Sequence, residues 1–124
     1  LEGDYDWQSH AFLPWTISAL VSLYLQTKDA RYAEHTLRLS DYLLTEQNLD
    51  PEQEVYGSFH NLPTANTASY MEGLGDAIHL VQVMGDQNRE QRYIAHARIG
   101  YRWLLGLQYT STSQPSGIAC LRAR

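Results

Sequence analysis

Glu72, Asp76 and His79 are spaced four and three residues apart within NTASYMEGLGDAIHLVQVMG, residues 66–85. On a helix, positions i, i+4 and i+7 share one face. Carboxylates beside an imidazole can carry general acid–base chemistry or hold a metal ion. A di-iron bundle needs a Glu from each of two helices and Glu-x-x-His from two more. The single Asp76-x-x-His79 does not supply that set, so no metal is expected. A solvated polar stripe is the plain alternative. Asp4, Asp6 and His10 form a second acidic group with a histidine. Paired carboxylates are the usual equipment of glycoside chemistry, but two acids in a terminal segment are equally well a solvated end. Tyr56 and His60 flank Gly57-Ser58-Phe59. They can stack on or hydrogen-bond a sugar, or they can anchor their own loop. His35 and His96 read as packing or exposed residues. Cys120 is alone, so there is no internal disulfide, and no matched His makes it a nucleophile. No Gly-x-Gly-x-x-Gly, Walker loop or Gly-x-Ser-x-Gly occurs, and no cofactor is implied.

Composition narrows the class. A chain of 124 residues suits one domain, and a hydrophobic fraction of 44% can bury a core. The net charge is −5 and the basic residues are scattered, which argues against a nucleic-acid footprint. No apolar run approaches the roughly 18 residues of a membrane-spanning helix, and no signal-peptide pattern is present. The lone cysteine is compatible with a reducing compartment and mildly favours the cytoplasm.

The elements that must position these residues are helices. Ser9 is a capping residue for a helix from about His10 to Thr27, with Pro14 in its first turn. Leu13, Ile17, Leu20 and Tyr24 mark one side, and Phe12, Trp15, Ala19 and Leu23 another. Its polar positions, Thr16, Ser18 and Ser22, are small. A helix apolar nearly all round is expected to be buried. After Lys28-Asp29, an amphipathic helix runs from about Ala30 to Gln47, burying Tyr32, Ala33, Leu37, Leu39, Leu43 and Leu44. A long connection follows to Pro63. The third helix, about Thr67 to Met84, reads as buried on two sides, with Gly73 and Gly75 suggesting close backbone packing. The first helix, its counterpart, is expected to carry small hydroxyl residues at the positions where the third has Glu72, Asp76 and His79. Beyond Gly85-Asp86, a fourth helix from about Asn88 to Tyr109 is expected to bury Tyr93, Ala97, Gly100, Tyr101, Leu104 and Leu105. Arg89, Arg92, Arg98 and Arg102 are expected on its exposed side.

The two halves resemble each other. Tyr32 and Tyr93, His35 and His96, Leu43 and Leu104, and Gln47 and Gln108 are each separated by 61 residues. Gly57-Ser-Phe59 and Gly117-Ile-Ala119 are 60 apart. Two hairpin units, about 10–59 and 66–119, are therefore expected to stack within one helical domain.

The pattern is a buried helix, a short x-Asp turn, an Arg-Tyr-x-x-His helix and a Gly-x-Phe loop. It resembles the hairpin of α/α-toroid proteins: N-acylglucosamine 2-epimerase-like enzymes, unsaturated-glucuronyl hydrolases and other six-hairpin glycosidases and lyases. Thr67-Ala-Ser-Tyr-Met-Glu-Gly73 resembles the start of an inner helix of such barrels. The resemblance covers most of the chain and implies a catalytic mouth lined by residues near 4–10, 56–60 and 66–72. From it follow Glu72 and His60 as expected catalytic residues, Glu72 being the acid or base near a helix N-terminus. Tyr56, Tyr70, Asp6 and His10 are expected substrate contacts. A complete toroid has about twelve helices and this chain four, so the expectation is an all-α segment of a toroid, or a small bundle.

Two function classes are expected on this basis. One is a carbohydrate-active enzyme of epimerase, glycosidase or lyase type, or a segment of one, with a sugar ligand. The other is a non-enzymatic helical-repeat module that packs against itself, further repeats or a partner protein. An excised domain without activity of its own is the third reading.

Overall fold

A computed structural model describes the backbone over residues 7–60 and 63–107, and the side chains over 12–60 and 64–107. The fold is all-α. Four helices, α1 (Trp7–Thr27), α2 (Ala30–Thr45), α3 (Pro63–Met84) and α4 (Gln87–Gly106), form two antiparallel hairpins. Asp29 caps α2 by accepting from Arg31 N at 3.0 Å, and Asp86 caps α4 by accepting from Arg89 N at 3.1 Å. Each turn needs one left-handed residue. Gly85 (φ 75°) supplies it between α3 and α4, and Lys28 (φ 58°) between α1 and α2.

α1 and α3 run side by side and parallel. Gly73 of α3 sits against Pro14 of α1, where an added Cβ would come within 2.7 Å of the Pro14 backbone. α2 lies behind this pair and touches both, while α4 packs on α3. The core comprises Ile17, Val21, Ala33, Leu43, Leu44, Phe59, Tyr70, Leu74, Ala77, Leu80, Val81 and Tyr93. Thr36 and Ser40 are also fully buried on α2, where short side chains let it settle close to its neighbours. The long connection is not an open loop. An isolated antiparallel bridge pairs Gln47 with Phe59, and Asn48 N donates to Ser58 O at 2.8 Å. The Phe59 N–H donates to buried Thr67 Oγ1 at 2.8 Å, which fastens the connection to α3. Gly57 (φ 94°) lies tight under α4, its added Cβ 2.7 Å from Ile99 O.

Several expectations are corrected. α3 begins at Pro63, four residues earlier than predicted, because proline opens a helix readily. Neither α1 nor α3 is buried all round. α1 exposes Phe12, Trp15, Thr16, Ala19, Ser22 and Leu23, and α3 exposes Glu72, Gly75, Asp76, His79, Gln82 and Val83. These two stripes match residue for residue at an offset of 60, as do buried Ile17 with Ala77 and Val21 with Val81. The counterparts of Glu72, Asp76 and His79 are therefore Phe12, Thr16 and Ala19, and only Thr16 carries a hydroxyl. On α4, Tyr101 and Leu105 are exposed at 58% and 52%, whereas Arg89 is drawn into the contact with α2. Among the described residues no helix covers those apolar positions of α4.

Candidate functional site

Two places gather the residues singled out by sequence. The first is the free face of α1 and α3, turned away from α2 and α4. Phe12 and Trp15 are each 55% exposed and tilt against each other with ring centroids 5.5 Å apart. Glu72, Asp76 and His79 occupy the neighbouring stripe of α3, and their side chains make no hydrogen bond or ion pair among the described residues. Exposed aromatic faces beside unengaged carboxylates suit a polyhydroxylated ligand. The rings cover its C–H faces and the carboxylates accept from its hydroxyls. Among the described residues, no group of three or more His, Cys, Asp or Glu is placed to hold a metal ion. Glu72 also lies more than two turns inside α3 because the helix starts at Pro63. The helix-dipole assistance expected from a first-turn position falls away at that depth.

The second place is the junction of the connection with the start of α3. His60 adopts a left-handed backbone (φ 59°), a conformation a non-glycine residue holds only when its surroundings enforce it. Its Nε2 is 3.6 Å from Glu46 Oε2, its Nδ1 is 3.2 Å from Asn66 Nδ2, and its N–H donates to Glu46 O at 3.0 Å. The Asn66 amide nitrogen and the Glu46 carboxylate thus hold the two ring nitrogens from opposite sides. The side chains of His60 and Glu46 are 11% and 17% exposed. Tyr70 is fully buried and packs tilted against Phe59, with centroids 5.3 Å apart. Burial, and then the Glu46 carboxylate and Tyr42, raise its phenol above the usual range, and its hydroxyl has no hydrogen-bond partner among the described residues.

The predicted residues therefore separate. Glu72 is on the exposed side of α3, while His60 bonds to Asn66 on the buried side. Tyr56 is 37% exposed on the connection. Tyr70, expected as a substrate contact, is corrected to a core residue because none of its surface is accessible. Asp6 lies outside the described residues, as does the side chain of His10. Phe12, Trp15, Glu46 and Asn66 were not singled out. The i, i+3 spacing of Phe12 and Trp15 was visible, but an aromatic pair on an apolar helix reads as core.

Comparison of this chain with models of known protein families, with curated proteins and with solved structures gave no match. Among the described residues, no helix is long and apolar enough to cross a membrane.

Proposed function

We propose that this chain is a carbohydrate-binding segment of an α/α-toroid enzyme, with the free face of α1 and α3 as its sugar-facing wall. The observation that carries the proposal is the matched pair of exposed stripes on two parallel neighbouring helices. One presents Phe12 and Trp15, the other Glu72, Asp76 and His79. The seating of α2 behind both α1 and α3 supports the toroid reading, because a ring of hairpins places its second helices in such outer grooves. In this reading Trp15 stacks on the sugar ring and Glu72 is the acid or base. Asp76 accepts from hydroxyls, and His60 shapes the rim through Glu46 and Asn66.

Turnover is tested on the full chain with an N-acyl hexosamine, a neutral hexoside and a uronic-acid-ended disaccharide, product being followed by NMR. Glu72→Gln should abolish turnover of whichever sugar reacts while leaving its affinity within about threefold. Full activity in that variant removes Glu72 from the chemistry.

A further inference from the structure

The second hairpin grips the first through four side chains of α4, one of them Arg89, whose Nη2 donates to Asp41 Oδ2 at 3.3 Å. Arg92 Nη2 and the Tyr93 hydroxyl donate to Asp41 Oδ1 at 2.5 and 2.7 Å. His96 Nδ1 lies 2.7 Å from Gln47 Oε1, and Gln47 Nε2 donates back to His96 O at 3.1 Å. Asp41 and Gln47, six residues apart, are thus the carboxylate and carboxamide that receive an Arg-Tyr-x-x-His clasp.

The same clasp is present on α2. Arg31, Tyr32 and His35 stand 61 residues before Arg92, Tyr93 and His96. By helical position they lie on a different side of α2 from Asp41, the residue that meets α4. The Arg31 side chain is 85% exposed and pairs with Asp29 in its own turn, and exposed His35 lies 3.2 Å from the Arg38 guanidinium. On α1, Leu13 and Leu20 are half-buried, whereas their counterparts Gly73 and Leu80 on α3 are buried.

We infer that Arg31, Tyr32 and His35 of α2, with Leu13 and Leu20 of α1, form a docking surface for another helical hairpin of this repeat. Its second helix must offer a carboxylate in the place of Asp41 and a carboxamide in the place of Gln47. Charge disfavours a second, unaltered copy of this chain in that role. The free edge of a second copy is α4, and the residue 61 positions after Asp41 is Arg102. Docked in register, Arg102 would face Arg31, and like charges set against each other oppose association. The remainder of that edge is shaped to receive a hairpin. Ile94, Ala97 and Tyr101 line an open groove with Met71, and their counterparts Ala33, Thr36 and Ser40 are buried in the first hairpin.

The probe is the chain itself with Arg102→Asp, which puts a carboxylate six residues before Gln108. Arg102 is exposed, so the fold should be kept, as circular dichroism would verify. In sedimentation equilibrium this variant should associate head to tail with an apparent Kd at least about tenfold below that of the unaltered chain. Adding Arg31→Ala, Tyr32→Phe and His35→Ala should return it to the unaltered level. In a second arm, Arg102→Asp carrying that triple block is mixed with the unaltered chain, whose clasp is intact. A capped 1:1 complex is expected. Arg102→Asp that associates no better than the unaltered chain overturns the inference. So does a 1:1 complex that survives loss of the clasp from its partner.

Discussion

Asp41→Ala should loosen the two hairpins from each other. Asp41 accepts from the hydroxyl of fully buried Tyr93 and from the guanidinium groups of Arg92 and Arg89, the last at 3.3 Å. A hydrogen bond to a charged group contributes about 1.5–3 kcal/mol, and the buried Tyr93 hydroxyl would be left without its acceptor. Asp41 itself is 36% exposed, so its ion pairs are screened and add only about 0.2–1 kcal/mol each. Alanine returns up to about 0.5 kcal/mol of helix propensity to α2. The net expected loss is about 2–3 kcal/mol. Tyr93→Phe removes donor and hydroxyl together and should cost only about 1 kcal/mol. Urea unfolding of both single variants and the double variant gives the coupling, expected at about 1–2 kcal/mol. Because the main contribution is a buried hydrogen bond, raising NaCl to about 1 M should shrink the Asp41→Ala loss by less than half. A loss below about 0.5 kcal/mol, or a Tyr93→Phe loss as large as that of Asp41→Ala, would refute this account of the contact.

Further outcomes follow from individual contacts. Gly73→Ala should destabilise by about 1–2 kcal/mol, because overpacking against the Pro14 backbone outweighs about 1 kcal/mol of gained helix propensity. Gly75→Ala, with nothing within 4 Å of the added methyl, should instead stabilise by up to about 1 kcal/mol; thermal melts of the pair decide it. Thr67→Val should cost about 1–3 kcal/mol in urea unfolding, since it strands the buried Phe59 N–H at nearly constant volume. Burial, and then Arg92, hold the His96 imidazole below its usual range. The unfolded chain therefore binds this proton more readily, so the stability His96 contributes is complete above about pH 6.5 and is lost as pH falls through the depressed folded value. Unfolding free energies between pH 7.5 and 5 should fall with acid, and His96→Asn should flatten that dependence.

Helix existence was legible because local signals agreed. Lys28-Asp29 and Gly85-Asp86 announced the breaks between paired helices, and the 61-residue spacing of Tyr32 and Tyr93 announced the hairpins. Exposure was not legible. Phe12 and Trp15 are the residue types of a core, and only the placement of α2 behind α1 and α3 decides which side of each helix is free. The junction was hidden for another reason. Glu46, His60 and Tyr70 are far apart in sequence and meet only because the Gln47–Phe59 bridge folds the connection back onto α3. Glu72 was legible as an exposed acid through its i+4 and i+7 neighbours. Grouping it with His60 failed, because sequence spacing does not say which side of α3 a loop residue approaches.

The claim that the α1–α3 face meets a sugar is tested most directly by two-dimensional NMR titration of the full chain with the sugar panel. Saturable shifts are expected at the Trp15 indole and at the amides of Phe12, Glu72, Asp76 and His79. Kd should lie in the range of about 0.1–10 mM, and the shifts should be lost with Trp15→Ala. Shifts confined to other surfaces, or none at sugar concentrations of about 50 mM, would contradict it.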